Sequence, residues 1–505
     1  MEFIEKKERK TFELHKRLAY TNPFAEERME IEHQLLGKAK TNSSKVWHIG
    51  LDISRSRPEV IAIRDKTKAL LELLQRRLKS GLHGSLQERE SYMDIVLFYS
   101  YDLINEDLAE LILSDDKVRV FREEEIFNEF KEHLLYWTKP LPEGPPKIKE
   151  IAHLFSICYQ VRRAFHYIFN FISGESSVIA NLRVNLWQSI FTHDLNRYRK
   201  NLYTKMTDFA TLITGPSGTG KELVARAIGN SRYLPFDLTT KSFKEAHNSS
   251  FFPLNLSALS DNLIESELFG HRKGAFTGAL QDRRGYLEEC SKYGTVFIDE
   301  VGELNESTQV KLLRVFQMRS FQRVGDNKEI PFKGKLIAAT NRNLEKEMAE
   351  GQFREDFYYR LCSDMIETPS LASILTEKPS DLQGMITFIL DKILDEGDQK
   401  KSHGEILDWI ENHISHDYTW PGNFRELEQC VRSILIRKSY QPRTLNPAAD
   451  VWDKMKLGHL DLDQVISFYC RHVDQFTDSI SESSKRLNVD RRTLQSRMKE
   501  HTELG

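Results

Sequence analysis

One segment of the chain has the residue types and spacing that bind phosphate. Residues 210–214 are a short apolar and β-branched run, Gly-Pro-Ser-Gly-Thr-Gly-Lys follows at residues 215–221, and residues 222–228 continue with helical spacing. Glycines let successive backbone N–H groups close around a β-phosphate, Lys221 reaches the β and γ oxygens, and the helix N-terminus adds its positive dipole end. We assign this nucleotide site to Gly215, Pro216, Ser217, Gly218, Thr219, Gly220, Lys221 and Glu222.

An acidic pair further along the chain can complete a hydrolytic site. The phosphate motif usually ends with a Ser or Thr that ligates Mg²⁺, but Glu222 occupies that position, so an acid from elsewhere must help to hold the ion. Residues 294–298 predict a buried strand that carries Asp299 and Glu300 at its C-terminal end, where ligands bind in open α/β sheets. We expect Asp299 to orient Mg²⁺ and its waters, and Glu300 to polarise the water that attacks ATP. Ordinary surface chemistry is the alternative, which the preceding Lys221 disfavours.

A six-residue loop motif lies between these two segments and extends the interpretation to a partner. Gly-Ala-Phe-Thr-Gly-Ala occupies residues 274–279, after Glu-Ser-Glu-Leu-Phe-Gly-His at residues 265–271. On these motifs the chain resembles the bacterial enhancer-binding proteins, the NtrC-like AAA+ activators of sigma-54 RNA polymerase, over residues 174–437. The resemblance implies that the loop rises from an ATPase ring and contacts sigma-54, with Phe276 and Thr277 at its tip. The implied contact residues are Gly274, Ala275, Phe276, Thr277, Gly278 and Ala279.

The same resemblance implies roles for five further residues. Asn341 follows the family's next strand at residues 336–340 and would sense the γ-phosphate. Arg354 and Arg360 lie where the family carries arginines that reach a neighbouring subunit's nucleotide, an effect typically worth about 10³ to 10⁵ in rate; surface ion pairs are their alternative. Arg425, in the family's lid motif, would contact nucleotide. Asn255 matches the asparagine that holds the catalytic glutamate until the target is engaged, although it could equally be a turn or strand-end residue.

Three features depart from the family pattern. Pro216 stands where the family more often has Glu, residues 234–250 are longer than its usual connection, and residues 183–209 are longer than its usual first helix. None of these changes removes a catalytic group. They indicate a divergent branch whose ring edge or regulatory contacts differ.

The C-terminal residues predict a DNA-binding unit. After a polar, proline-containing linker, residues 465–476 have helical spacing and residues 483–499 are typical of a helix, a tight turn and a second helix. Asp490 is a candidate N-cap, and Leu494 and Met498 share one face. The pattern resembles the Fis-like helix-turn-helix of the same family, whose second helix suits a major groove; a charged, solvated helix is the alternative. The residues assigned to DNA contact are Arg491, Arg492, Gln495, Ser496 and Lys499.

The first 170 residues carry no motif that identifies a chemistry. Residues 65–79 predict an amphipathic helix with Leu70, Leu71, Leu74 and Leu78 inward. The short apolar runs at residues 47–53 and 95–99 could be strands, so a small α/β fold stays open. A ligand-sensing or protein-docking regulator is the default expectation, and it depends on the habit of the family alone.

Composition limits the remaining possibilities. A length of 505 residues allows about three domains, and a net charge of −3 means that any nucleic-acid binding is local. The cysteines Cys158, Cys290, Cys362, Cys430 and Cys470 have no zinc or redox spacing and fit reduced thiols in a cytosol. No apolar run approaches the roughly 20 residues that span a bilayer, and the charged N-terminus is no signal peptide. We therefore predict a cytoplasmic protein without a membrane partner.

The combined prediction is an ATP-hydrolysing transcription activator. It would bind double-stranded DNA at an upstream, enhancer-like site, assemble as a homo-oligomeric ring, expected to be a hexamer, and remodel closed complexes of sigma-54 RNA polymerase, with ATP and Mg²⁺. A nucleotide-switched DNA-binding regulator without turnover, or an AAA+ remodeller of another protein, are the alternatives. The fold class is α/β, a P-loop AAA+ parallel sheet with a helical lid, between a mainly helical N-terminal region and an all-α helix-turn-helix. The predicted domains are residues 1–171, 172–370 (ATPase core), 371–440 (lid), 441–459 (linker) and 460–505.

Overall fold

The computed structural model describes residues 2–37, 58–114, 116–244, 251–415, 417–442, 455, 458, 460–477 and 479–499. The chain forms two compact units. The first consists of Met1–Leu407 together with Gly422–Gln429, and the second of Asp408–Pro421 together with Cys430–Gly505.

The described part of the N-terminal region is helical, as predicted. In α3 the four inward leucines of the sequence pattern, Leu70, Leu71, Leu74 and Leu78, are all buried. They pack with residues of α4 in one apolar cluster. The helices are α1 Arg9–Tyr20, α2 Glu26–Leu36, α3 Pro58–Lys79, α4 Leu86–Leu113, α5 Asp116–Thr138 and α6 Ile148–Phe171.

One of the two strand predictions for this region is wrong. Residues 95–99 lie within α4, where Ile95, Val96, Leu97 and Tyr99 are all buried. Because α4 packs against α1, α3, α5 and α6, consecutive residues are covered and the helical period disappears from the sequence. The other run, residues 47–53, lies outside the described residues.

A five-stranded parallel sheet forms the centre of the predicted ATPase core and confirms the predicted α/β P-loop AAA+ class. Its order is β4-β5-β8-β1-β9, with every neighbouring pair parallel. Both faces are covered, which explains why residues such as Leu212, Ile213, Phe297 and Ile298 form continuous apolar runs. The strands are β1 Thr211–Thr214, β4 Phe251–Asn255, β5 Thr295–Asp299, β8 Lys335–Thr340 and β9 Asp364–Glu367.

Residues 177–437 also form helices and two small hairpins. The helices are α7 Ser177–Phe191, α8 Leu195–Arg197, α9 Lys221–Gly229, α10 Asp261–Phe269, α11 Tyr286–Glu289, α12 Glu306–Met318, α13 Leu344–Ala349, α14 Glu355–Leu361, α15 Leu371–Glu377, α16 Asp381–Leu390, α17 Glu396–His413 and α18 Asn423–Arg437. The hairpins are β2 Phe236–Asp237 with β3 Ser242–Phe243, and β6 Ser320–Gln322 with β7 Glu329–Pro331.

The β2–β3 hairpin occupies the long connection noted in the sequence, and it packs on the N-terminal region. Phe236 stacks on Phe127 with ring centroids 4.4 Å apart, and Phe243 stacks on Tyr159 at 4.1 Å. The backbone N–H of Phe243 donates to Glu123 Oε2 at 2.8 Å. The hairpin therefore completes the apolar core formed by α4, α5 and α6.

Lys335, at the start of β8, is a buried cation that affects the stability of the core. It is 4% exposed, and its ammonium donates to the carbonyl of Phe209 at 3.0 Å. Burial lowers the pKa of Lys335 from 10.5 to about 8, although Asp364 acts in the opposite direction. Because one pKa unit corresponds to about 1.4 kcal/mol, keeping this group charged in the fold costs about 3 kcal/mol.

We expect Lys335→Met to change the pH dependence of stability. The unfolded chain binds this proton more tightly than the folded chain, so wild-type stability gains from rising pH between about 8 and 10.5. The methionine variant lacks that gain, and its free energy of unfolding relative to wild type should therefore fall by up to about 3 kcal/mol over this range. Urea titrations of both proteins at pH 7, 9 and 10.5 measure the difference. A pH-independent difference would contradict the assignment.

The second unit contains three consecutive helices near the C-terminus. They are α19 Leu462–Gln475, α20 Ile480–Leu487 and α21 Arg491–Lys499. The turn between α20 and α21 passes through Asn488, which has a left-handed φ of +51°. Throughout both units, no helix of the described residues is long and apolar enough to cross a membrane.

Candidate functional site

The phosphate motif forms the predicted loop between β1 and α9. Gly218 and Gly220 have φ of +79° and +88°, which a side chain would strain. Lys221 begins α9, and its Nζ donates to the carbonyls of Gly215 at 3.0 Å and Pro216 at 3.2 Å. The ammonium thus lies over the loop. Glu222 is exposed and pairs with Arg226 at 2.8 Å, so the ligation of a metal ion falls to other groups.

The acidic pair lies at the carboxyl end of β5, beside the ends of two neighbouring strands. Glu300 has a left-handed backbone with φ of +59°, and its Oε2 accepts a 3.2 Å hydrogen bond from the backbone N–H of Asn341. Such a conformation is uncommon outside glycine and collects at functional sites. Asn255 pairs in register with Asp299, and its side chain accepts from the N–H of Ser257 at 3.0 Å. The regulatory role of Asn255 therefore stays a prediction.

The charged groups of the site perturb one another. Burial lowers the pKa of Lys221, and the negative charges of Glu300 and Asp299 act against that shift. The pKa of Asp299 is raised, first by burial and then by the neighbouring Glu300. Two crowded carboxylates and one ammonium form a site in which a bound cation and a polyphosphate would relieve the repulsion.

A cavity of about 370 Å³ joins the phosphate loop and the acidic pair. One wall is apolar and suits a base, and the sequence did not reveal these residues because they are ordinary core types scattered over three segments. Lys392 adds a cation at the wall. The apolar wall consists of Phe171, Ile172, Ile179, Leu182, Met385, Phe388 and Ile389.

The segment that carries Arg425 closes over the phosphate loop. Arg425 Nη1 donates to Ser217 Oγ at 3.2 Å, and Asn423 Nδ2 donates to the Ser217 carbonyl at 2.9 Å. A Cβ on Gly218 would lie 2.3 Å from the carbonyl oxygen of Gly422, so only glycine permits this approach. Arg425 is therefore brought to the same cavity as Lys221, Asp299 and Glu300.

The two candidate trans-acting arginines differ in their surroundings. Arg354 precedes α14, and its guanidinium contacts Asp356 at 2.9 Å and Glu306 at 3.1 Å in its own chain. Arg360, in the last turn of α14, is exposed and has no ion pair with any described residue of the chain. Neither residue lines the cavity of its own chain. Arg360 is thus the arginine that is free to reach outward.

The Gly-Ala-Phe-Thr-Gly-Ala segment is a surface loop with a fixed base. At the base, His271 pairs with Arg283 and Val324 by backbone bridges, and Arg272 forms ion pairs with Asp282 and with Asp326 at 2.8 Å. Phe276 is half-buried with its ring 4.9 Å from that of His271, whereas Thr277 is exposed.

Glycines bound this loop for conformational reasons. Gly274 and Gly278 have φ of +81° and +103°, and a Cβ on either would meet no atom within 4 Å. Steric crowding does not explain glycine at these positions. The positive φ does, because residues with a side chain rarely adopt it. Glycine at these two positions therefore permits the backbone conformation of the loop, whose ends are joined by a 2.8 Å hydrogen bond from the Gly274 N–H to the Ala279 carbonyl.

The predicted DNA-contact residues of α21 occupy its surface. Asp490 accepts from the backbone N–H of Arg492 and Thr493, both at 3.0 Å, as an N-cap does. Leu494 is fully buried and Met498 half-buried, which orients the helix. Arg491, whose guanidinium donates to Ser481, and Arg492, Gln495 and Ser496 are exposed, and the side chain of Lys499 lies outside the described residues.

The donor set fits Mg²⁺ bound together with nucleotide. Among the described residues no group of three or more His, Cys, Asp or Glu could hold a metal ion by itself. Asp299 and Glu300 supply two carboxylates beside the phosphate loop, and Mg²⁺ usually binds through one or two carboxylates, waters and substrate phosphates.

Comparison with known proteins identifies the central part of the chain. Residues 191–367 match the family described as the Sigma-54 interaction domain. The Nif-specific regulatory protein of Azotobacter vinelandii is 44% identical over 226 residues, which cover 45% of this chain and 39% of that protein. The Sigma54-dependent transcriptional regulator SfnR of Pseudomonas fluorescens (strain Pf0-1) is 40% identical over 231 residues, 46% of this chain and 57% of that protein. The matched part of the chain thus spans from about two fifths to about three fifths of the length of these relatives.

Solved structures show a more distant likeness. NtrX from Brucella abortus in complex with ADP is 22% identical, with a TM-score of 0.40 over 76% of this chain and 86% of that one. A superposition this loose adds nothing to the sheet order and loop geometry given above.

Proposed function

We propose that the chain, whose residues 191–367 match the Sigma-54 interaction domain, is an ATP-driven, NtrC-like activator of sigma-54-dependent transcription. One observation carries the proposal. A phosphate loop, an acidic pair and a lid arginine line one cavity, and the same domain carries an exposed Gly-Ala-Phe-Thr-Gly-Ala loop.

The proposed chemistry is hydrolysis of ATP. The phosphate loop and Lys221 bind the β- and γ-phosphates, and Arg425 holds the nucleotide from the lid segment. Glu300 accepts a proton from the attacking water, while Asn341, whose N–H contacts Glu300, senses the γ-phosphate. Asp299 would hold Mg²⁺, which would neutralise charge on the phosphates. The charge that develops on the γ-phosphate also needs a cation, and Arg360 of an adjacent subunit in a ring supplies it.

The proposed output is a change in the surface loop. Loss of the γ-phosphate changes what Glu300 and Asn341 contact, and Asn255, in register with Asp299, links the acidic pair to the neighbouring strand end. The loop then moves, and with it Phe276 and Thr277 at its tip. These residues press on sigma-54, which converts a closed promoter complex to an open one. A fixed base and glycines at both ends support this step.

The proposed anchor is the C-terminal helix-turn-helix. The capped helix α21 presents Arg491, Arg492, Gln495 and Ser496 on its surface, and such side chains reach phosphates and base edges in a major groove. Lys499 is assigned the same role from the sequence alone. Binding at an upstream DNA site would hold the ring, proposed to be a hexamer, near its promoter.

The decisive experiment separates ATP hydrolysis from promoter opening. We expect Thr277→Ala to keep its ATPase rate and to lose open-complex formation, because the Thr277 hydroxyl is exposed and bonds no described residue. Purified sigma-54 holoenzyme, a sigma-54 promoter and ATP provide the assay, with permanganate footprinting as the readout.

The matched control is Thr239→Ala, which removes an exposed hydroxyl from the β2–β3 turn and should open the promoter like wild type. If Thr277→Ala opens the promoter as well as the control does, the proposed partner is wrong. If the wild-type chain hydrolyses ATP without opening any sigma-54 promoter, the ring acts on another target.

A further inference from the structure

A second cavity, of about 220 Å³, lies among the N-terminal helices and the first helix of the ATPase core. It has no part in the proposed ATP chemistry. Its wall includes the aromatic rings of Phe98 and Tyr101 from α4, Phe165 from α6 and Trp187 from α7, together with aliphatic and charged side chains. An engineered cavity of roughly 150 Å³ accommodates benzene, so this one has room for a single ring with a small substituent.

Three arginines in the wall of this cavity already have acidic partners. Arg28 contacts Glu32 at 2.7 Å, and Arg199 contacts Asp94 at 3.0 Å. Arg64 pairs with Asp102. Their charges are therefore compensated within the chain.

Arg162, the fourth arginine of the wall, lacks such compensation. It is 4% exposed, and none of its guanidinium nitrogens has a hydrogen bond or ion pair with a described residue. Its guanidinium lies over the ring of Phe165, 5.7 Å from the centroid. Burial lowers the pKa of Arg162, and only Tyr101 acts in the opposite direction. A buried, unpartnered cation beside a cavity is costly unless an anion completes it.

We propose that this cavity is an effector site for a small organic carboxylate with a ring-sized apolar body, and that Arg162 binds its carboxylate group. The guanidinium offers a planar fork of N–H donors that matches a carboxylate. The aromatic and aliphatic side chains of the wall accept the apolar body, so charge and shape together define the ligand class.

Helix α7 connects this effector site to the nucleotide cavity. Trp187 lines the effector cavity, whereas Ile179 and Leu182, about one to two turns earlier in the same helix, line the nucleotide cavity. A ligand that orders α7 against the N-terminal helices acts on one wall of the ATP site. Reciprocal coupling follows, so that the carboxylate and the nucleotide each change the other's affinity. Only this coupling between the two cavities rests on the proposed function; binding of the carboxylate does not.

The binding test uses the full chain without ATP or promoter DNA, so its result is independent of the ATPase. Benzoate and cyclohexanecarboxylate are the anionic probes, and benzamide is the neutral isostere of the first. Calorimetry and thermal unfolding should show saturable binding of a carboxylate and none of benzamide. No binding of either carboxylate, or equal binding of benzamide, would overturn the proposal.

Substitution of Arg162 provides the second arm. We expect Arg162→Met to raise the melting temperature of the unliganded chain, because it removes an uncompensated buried charge, and to weaken carboxylate binding about 10- to 100-fold. Arg76→Met, an exposed arginine of α3 outside the cavity, should change neither. Val161→Phe, which fills the cavity and keeps Arg162, should also abolish binding. Unchanged affinity in both cavity variants would overturn the assignment.

Discussion

Glu300→Gln is expected to give a chain that binds ATP tightly and does not turn it over. The amide keeps the size of the side chain but cannot accept a proton from water, and loss of a general base typically lowers a rate by about 10² to 10⁴. The contact with Asn341 can persist, because an amide oxygen also accepts from its backbone N–H. Nucleotide affinity should therefore stay at or above the wild-type value. Steady-state ATPase assays and equilibrium binding of ATP measure the two quantities.

Glu303→Gln is the matched control for this variant. Glu303 lies one turn further along the chain and forms an ion pair with Arg342, outside the nucleotide cavity. Its substitution should leave turnover close to wild type. A Glu300→Gln chain that keeps the activity of this control would remove Glu300 from the mechanism, and a chain that loses ATP affinity would make it a binding residue.

Arg360→Ala is expected to abolish ATPase activity while each subunit still binds nucleotide. The guanidinium of Arg360 is exposed, lies outside the cavity of its own chain and has no acidic partner among the described residues. An arginine supplied across an interface stabilises the charge that develops on the γ-phosphate, so its loss should cost about 10³ to 10⁵ in kcat. Arg354→Ala differs from Arg360→Ala because it removes ion pairs with Asp356 and Glu306 in its own chain.

Mixing two inactive variants distinguishes a role in trans from a role in the same subunit. The Lys221→Ala variant lacks the ammonium that binds the phosphates but keeps Arg360. The Arg360→Ala variant keeps an intact phosphate loop. If Arg360 acts on a neighbour, mixed rings regain activity at interfaces where the two complement each other. Mixtures that stay as inactive as the separate variants, although the subunits co-assemble, would assign Arg360 to its own subunit or to structure.

The nucleotide chemistry was predictable because its residues are contiguous. The phosphate loop and the pair Asp299–Glu300 each follow a strand of recognisable apolar residues, and the sheet then brings the strand ends together. The wall of the nucleotide cavity was not predictable. Ile172, Phe388 and Ile389 are apolar residues distant in sequence, and only the tertiary fold distinguishes them from other core positions.

The N-terminal region shows where sequence patterns lose their information. Helix α3 has one buried face, and its leucines follow the helical period. Helix α4 is covered on several sides, so residues 95–99 are apolar without a period and suggest a strand. The position of Arg162 in the cavity wall could not be predicted either, since one arginine in a long helix does not indicate a site until its surroundings are known.

The β2–β3 hairpin has a consequence for how such chains evolve. Phe236 and Phe243 follow the phosphate loop in the sequence, yet they complete the core of the N-terminal region. A gene fusion that replaced residues 1–171 would leave both rings without their aromatic partners. A recombination event that exchanged the N-terminal region would therefore expose both rings unless it also exchanged or deleted the hairpin.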